Sequence, residues 1–307
     1  MKIRILIVLG ILFVGISGCS SSSPKEQTLI IFHAGSVSKP IHEVSEAFQK
    51  LHPGVKILHE AAGSVESARK IIDLKKPCDL FVSADISVIE KFLWPQYTKE
   101  WYGFAGNSIG IAFTQHSRYA AEIGASNWHE LLLKDDVNFA RSDPQADPCG
   151  YRTLFVWQLA EKFYSKPGIY KKMAAKDQRF IRPKETDLLT LLQTHNVDYI
   201  FIYRSVTKQH GLHFVELPDS INLSNPQLEE YYHNASINLR GKTPGDSIKQ
   251  QGNAIVYGVT IPQNAPNRQL AEEYLRFLLD RNLGLRIFRE AGHTLPDSVL
   301  IFPSKTK

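Results

Sequence analysis

The stretch Thr28-Leu29-Ile30-Ile31-Phe32-His33-Ala34-Gly35-Ser36 decides how the chain is read. Thr28 to Phe32 is an apolar, β-branched run without alternation, the pattern of a strand covered on both faces. It ends in small residues and a hydroxyl. A helix follows, with Ile41, Val44, Phe48 and Leu51 spaced for one apolar face. The same order then recurs. Val55 to His59 reads as a second strand and Ala61-Ala62-Gly63-Ser64 as a second small-residue turn. Val65, Ala68, Ile71 and Ile72 mark the inner face of a second helix. Asp79 to Val82 is a third strand, leading through Ser83-Ala84-Asp85 into a helix over 86–93. Strands alternating with helices predict an α/β fold with largely parallel sheets.

Further along, Ser108 to Thr114 reads as a strand, Trp128 to Leu133 as a helix and Val137 to Ala140 as a strand. The polar loop Arg141 to Gly150 leads into a helix from Tyr151 to about Tyr164. Thr186 to Gln193 is helical, Tyr199 to Tyr203 extended, Ala254 to Ile261 a strong strand, and Arg268 to Leu279 an amphipathic helix. A chain that builds one α/β half, then another, and returns makes two lobes. Ser108–Thr114 and Ala254–Ile261 are the expected crossings, and the cleft between lobes is a natural ligand site.

The N-terminus reads as an address. Lys2 and Arg4 precede the apolar run Ile5 to Ile16, which is short for a membrane span. Ile16-Ser17-Gly18-Cys19 resembles a bacterial lipobox, so Cys19 is the expected lipidated first residue of the mature chain. Ser20 to Ser23 and Pro24 read as a flexible tether. The expected organisation is a signal peptide over 1–18, a tether over 19–27, a first lobe over 28–111 and 256–307, and a second lobe over 112–255. Cys78 and Cys149 remain, and an oxidising compartment would permit a disulfide between them.

Composition narrows the function. The 307 residues carry 36 Lys and Arg against 31 Asp and Glu, a formal charge of +5, with 43% hydrophobic residues. These values exclude a disordered or multi-span membrane chain. No dense basic block interleaved with aromatics is present, which argues against nucleic acid as partner. There is no CxxC, no His/Cys ligand spacing for zinc, no GxSxG and no HExxH, and the histidines are scattered. A secreted hydrolase is therefore the weaker alternative.

The chemistry sits at the strand ends. Ser36 and Ser64 both follow Ala/Gly at the start of a helix, where unpaired N–H groups and the helix dipole favour an anion. Either serine alone reads equally well as a helix cap. The loop Ser142-Asp143-Pro144-Gln145-Ala146-Asp147-Pro148-Cys149-Gly150 again enters a helix, and the N–H groups of Cys149 and Gly150 are candidate donors. Its two acids would repel an anion unless the anion contains a metal that carboxylates can coordinate; otherwise they are turn and cap residues. Tyr203 can offer a hydroxyl, and Thr186 either caps its helix or points an N–H inward. His33 is the histidine nearest the cleft.

Taken together, Phe32 to Ser36, Glu60 to Ser64, Ser142 to Arg152, Arg182 to Asp187, Asp198 to Ser205 and Ile255 to Pro262 resemble the archaeal-type tungstate/molybdate-binding proteins of ABC transporters. The resemblance implies a two-lobed type II periplasmic-binding-protein fold that closes on its ligand by hinge motion, each lobe a mostly parallel sheet. It implies oxyanion contacts from Ser36 and Ser64, and from Cys149, Thr186, Asp187 and Tyr203 across the cleft. It implies two carboxylates on the metal, the first at Asp147, with Asp143 the lesser candidate. As aligned, the second falls on Ile202, which implies either fewer than six ligands or Glu185 in its place. No cofactor is implied. The implied partners are a tungstate or molybdate oxyanion, a membrane permease with its ATPase, and a membrane reached through the lipid anchor. The implied state is a monomer exported to the periplasm or cell surface. The alternative within binding is another small anion such as sulfate.

Overall fold

The computed structural model describes residues 27–303. The signal peptide, Cys19 and the tether up to residue 26 lie outside the described residues. Among the described residues no helix is long and apolar enough to cross a membrane.

Strands β1 (Gln27–His33), β2 (Val55–Ala61) and β3 (Leu80–Ser83) form a parallel block. With β4 (Trp101–Gly106), β12 (Val256–Thr260) and β13 (Leu300–Phe302) they make a six-stranded sheet ordered β13-β4-β12-β3-β1-β2. A second sheet joins β5 (Ile109–Phe113), β6 (Phe139–Ser142), β7 (Ile181–Arg182), β8 (Tyr199–Tyr203) and β9 (His213–Val215) in the order β7-β6-β8-β5-β9. A hairpin, β10 (Ser236–Arg240) with β11 (Ser247–Gln251), stands apart from both. The result is a two-lobed α/β fold.

Both sheets are mixed. Parallel pairing holds within β1–β3 and among β6, β7 and β8. β5 and β12 run against their neighbours, for a topological reason. Each carries the chain from one sheet into the other, and each enters at the carboxyl ends of the parallel strands. Ile109 at the start of β5 lies opposite Tyr203 at the end of β8, and Gly258 in β12 lies opposite Ser83 at the end of β3. Crossings and strand ends therefore share one edge, where helices begin. β5 pairs only within the second sheet, so the chain changes sheet at Asn107–Ser108 rather than after residue 111. Asn107 is pinned there, donating from Nδ2 to Ser205 Oγ (2.8 Å) and the Tyr257 hydroxyl (3.0 Å).

The two helices after β1 and β2 form as their spacing predicts. Helix α1 (Ser38–Leu51) buries Ile41, Val44 and Phe48, and α2 (Ser64–Ile72) buries Val65, Ala68, Ile71 and Ile72. At about 1.5–3 kcal/mol per fully buried aliphatic or aromatic side chain, these faces hold the helices to the sheet. Leu51 departs from the expectation: as the last residue of α1 it is 65% exposed. The helix Pro148–Phe163 begins three residues earlier than the apolar pattern suggests, because Asp147 caps it and Pro148 occupies its first position. Cys78 and Cys149 are both free and buried. Their sulfurs donate to Leu80 O (3.3 Å) in the first lobe and Phe201 O (3.6 Å) in the second, so the permitted disulfide is not formed.

Candidate functional site between the lobes

The strand ends place three hydroxyls in one buried region. Ser36 follows β1, Ser64 opens α2 and Tyr203 closes β8. Each hydroxyl oxygen already accepts a hydrogen bond from its own surroundings. Tyr257 OH donates to Ser36 Oγ (3.1 Å), Ala84 N–H to Ser64 Oγ (2.9 Å), and Arg152 Nη1 to the Tyr203 hydroxyl (2.8 Å). A hydroxyl whose oxygen is engaged still has its hydrogen to give. Each of the three hydroxyls thus keeps a hydrogen available to donate.

Two carboxyls join them. Asp147 is fully buried and caps the helix Pro148–Phe163. Its Oδ1 accepts from Cys149 N–H (3.2 Å) and its Oδ2 from Glu185 N–H (2.8 Å). Glu185 is equally buried, beside Asp147 and Ser36, yet neither of its carboxyl oxygens makes a well-formed hydrogen bond. Burial first, and then the Asp147 charge, raise the Glu185 carboxyl well above the usual carboxylate range. Burial also raises Asp147, against the hydrogen bonds it accepts. In a pair this close and this dry, each charge disfavours the other.

The remaining expected residues are placed differently. The Cys149 N–H serves the Asp147 cap. Thr186 stands at the rim, close enough that a Cβ on Gly35 would lie 2.9 Å from Thr186 Oγ1. Asp187 is not in the buried cluster: its half-exposed carboxylate pairs with Lys184 Nζ (3.6 Å), and its N–H goes to Lys184 O. Asp143 is a turn residue that accepts from Gln145 N–H (2.9 Å). Ile202 is buried in β8 opposite Gly110, one residue before Tyr203 and so on the other face of the strand. The carboxyl buried beside Asp147 is that of Glu185. His33 donates from Nδ1 to Ala34 O (3.0 Å) and turns its ring toward His42 and His59.

Sequence reasoning gave no role to Arg152, Asp85, Tyr151, Asn107 or Tyr257. Arg152, buried in the helix Pro148–Phe163, reaches across to the first lobe, with Nη2 3.1 Å from Asp85 Oδ2 and Nη1 donating to Ala84 O (2.7 Å). Tyr151 OH donates to the same Asp85 oxygen (2.6 Å). The available signal was Tyr151-Arg152 in the first turn of a helix entered from a polar loop. The lobes meet again where Val65 and Glu66 N–H both donate to Ala146 O, at 3.1 Å each. A Cβ on Gly63 would stand 2.3 Å from that oxygen, so only glycine lets the backbones approach this closely. At the mouth, a recess of about 500 Å³ includes Lys39 and Lys184 in its lining. These cations suit the arrival of an anion.

The family of bacterial extracellular solute-binding proteins matches residues 29–294. A solute-binding protein of Petrotoga mobilis is 47% identical over 266 residues, 86% of this chain and 82% of the relative. The molybdate/tungstate-binding protein WtpA of Thermococcus kodakarensis is 43% identical over 308 residues, 89% of this chain and 86% of the relative. Among solved structures, the periplasmic molybdate-binding protein of Azotobacter vinelandii superposes with a TM-score of 0.63 at 16% identity, over 88% of this chain and all of that one. At that identity the likeness concerns the fold.

Proposed function

The chain belongs to the bacterial extracellular solute-binding proteins, and we propose that it captures tungstate or molybdate between its lobes for import by an ABC transporter. The observation that carries this reading is the pair Asp147–Glu185: two fully buried carboxyls that form no ion pair among the described residues. The buried guanidinium of Arg152 is committed to Asp85 and Tyr203. A buried, uncompensated pair of acids is costly. It also repels sulfate, whose sulfur accepts no further ligands. A tetrahedral oxyanion of molybdenum or tungsten answers both objections, because its metal takes hard oxygen donors. Asp147 and Glu185 would ligate the metal, raising coordination from four to six. Ser36, Ser64 and Tyr203 would donate to the oxo groups. Charge-assisted hydrogen bonds contribute roughly 1.5–3 kcal/mol each. With the metal bonds, and less the costs of closure, this is compatible with nanomolar binding, about −12 kcal/mol.

The reading extends to the whole protein. Cys19 would anchor it by lipid at the outer side of the cytoplasmic membrane, and it would deliver its cargo as a monomer to a permease and ATPase. It would need no cofactor and catalyse nothing. The molybdate/tungstate-binding relative and the Asp147–Glu185 geometry support the ligand; the lipobox-like Ile16–Cys19 supports the anchor. Calorimetric titration with tungstate, molybdate and sulfate tests the ligand. Tight binding of the first two and none of sulfate is expected; the reverse order would remove the reading.

A further inference from the structure

Apart from the oxyanion site, three histidines converge on the outer side of the first lobe. His33 ends β1, His59 lies in β2 and His42 in α1. The β1–β2 register, with Ile31 opposite His59 and His33 opposite Ala61, puts His33 and His59 diagonally on one face of the sheet. One nitrogen of each ring lies within 4.8 Å of those of the other two. His33 stands 5.9 Å from His42 and 5.4 Å from His59, centroid to centroid.

Two further features fit a ligand. His33 Nε2 and His59 Nδ1 are buried and have no hydrogen-bond partner. Unpaired buried ring nitrogens cost stability, so a site that retains two of them side by side calls for an explanation. In addition, the His33 ring is set for ligation. Its Nδ1–H is fixed on Ala34 O, which leaves Nε2 as the lone-pair nitrogen, the arrangement found where a carbonyl orients a metal-bound imidazole. Burial, with the neighbouring rings and, for His33, Lys184, lowers His33 to about 4 and His59 to about 3. Both are neutral, the form that binds metal.

We propose that His33, His42 and His59 form a site for one first-row divalent transition cation, with zinc as the reference ion, and that a water completes a tetrahedral shell. With Zn–N bonds of about 2.0–2.1 Å, tetrahedral ligation sets ring centroids roughly 5 Å apart. The two spacings from His33 already approximate this. His42 and His59 are stacked too closely, at 3.9 Å, and must splay. His42 is exposed on α1, with solvent on its outer side. Three imidazoles without thiolate or carboxylate select zinc, cobalt, nickel or copper over magnesium or calcium. This site does not depend on the oxyanion reading, and its ligands lie outside that machinery.

The test is zinc titration of the purified protein against a chromogenic competitor, with Co²⁺ absorption as a second readout. We expect one zinc per chain and the intense visible bands of four-coordinate cobalt. His42→Ala and His59→Gln should each weaken zinc binding by roughly tenfold or more and abolish those bands. Circular dichroism checks that the variants remain folded. Absence of stoichiometric zinc uptake overturns the proposal. So does unchanged affinity in folded His42→Ala, since the ion would then sit elsewhere, for instance at the pair His116 and His195 with rings 5.3 Å apart.

Discussion

Two buried acid sites lie close together across the cleft, and they are built on opposite principles. Asp85 is matched: Arg152 and Tyr151 from the facing lobe satisfy its Oδ2, and its Oδ1 caps the turn at Ser87. The Asp147–Glu185 pair is unmatched: burial raises both carboxyls, and neither forms an ion pair among the described residues. The first is a clasp, spending its charge on holding the lobes together. The second keeps its charge for something from outside. Within one interface, compensation marks structure and its lack marks function.

The comparison breaks first at the clasp. Arg152→Met leaves Asp85 buried without its cation and should destabilise the protein by roughly 3–5 kcal/mol, read as a lowered denaturation midpoint. A stability within experimental error of wild type would mean that the clasp is dispensable. At the unmatched pair, Asp147→Ala or Glu185→Ala should weaken tungstate binding by roughly 100-fold or more, since loss of an outer-shell partner alone costs about 10–100-fold. Calorimetry reads this directly.

Closure gives a smaller effect. Gly63→Val forces a side chain against Ala146 O and wedges the lobes apart. At roughly 1–3 kcal/mol for an overpacked contact, the expected loss of affinity is about tenfold. The subtlest prediction concerns pH. The folded Glu185 carboxyl titrates above its unfolded value, so its contribution to stability is complete below the unfolded value and is lost as pH rises through the folded one. Glu185→Gln removes that loss. It should stabilise the ligand-free protein at neutral pH by roughly 0.5–2 kcal/mol while weakening tungstate binding. For the same reason, tungstate binding to wild type should expel a proton and tighten as pH rises across that titration. Heats measured in buffers of different ionisation enthalpy count the proton.

Local signals made much of this legible. The parallel block β1–β3 followed from apolar runs ending in Ala/Gly and serine, and Ser36 and Ser64 stand where those turns placed them. What sequence concealed was set by long-range register. Asp147 and Glu185 are 38 residues apart and meet only because β6 and β7 lie side by side. The sequence already showed Ile202 where the resemblance calls for a second carboxylate, and alternation along β8 turns that side chain to the face opposite Tyr203. The Asp187 carboxylate is drawn to Lys184, three residues back at the surface. The histidines looked scattered because no local spacing announces the β1–β2 diagonal that brings His33 and His59 together. The β10–β11 hairpin carries no strong apolar run, and β13, although apolar over Leu300–Phe302, is only three residues long.

The central claim is that Asp147 and Glu185 bind the metal of the oxyanion. Tungsten-edge X-ray absorption on the tungstate-loaded protein tests it most directly. The account predicts a six-coordinate spectrum, with oxygen scatterers beyond the four oxo groups that disappear in Asp147→Ala and Glu185→Ala. A spectrum matching free tetrahedral tungstate, unchanged in both variants, would contradict it.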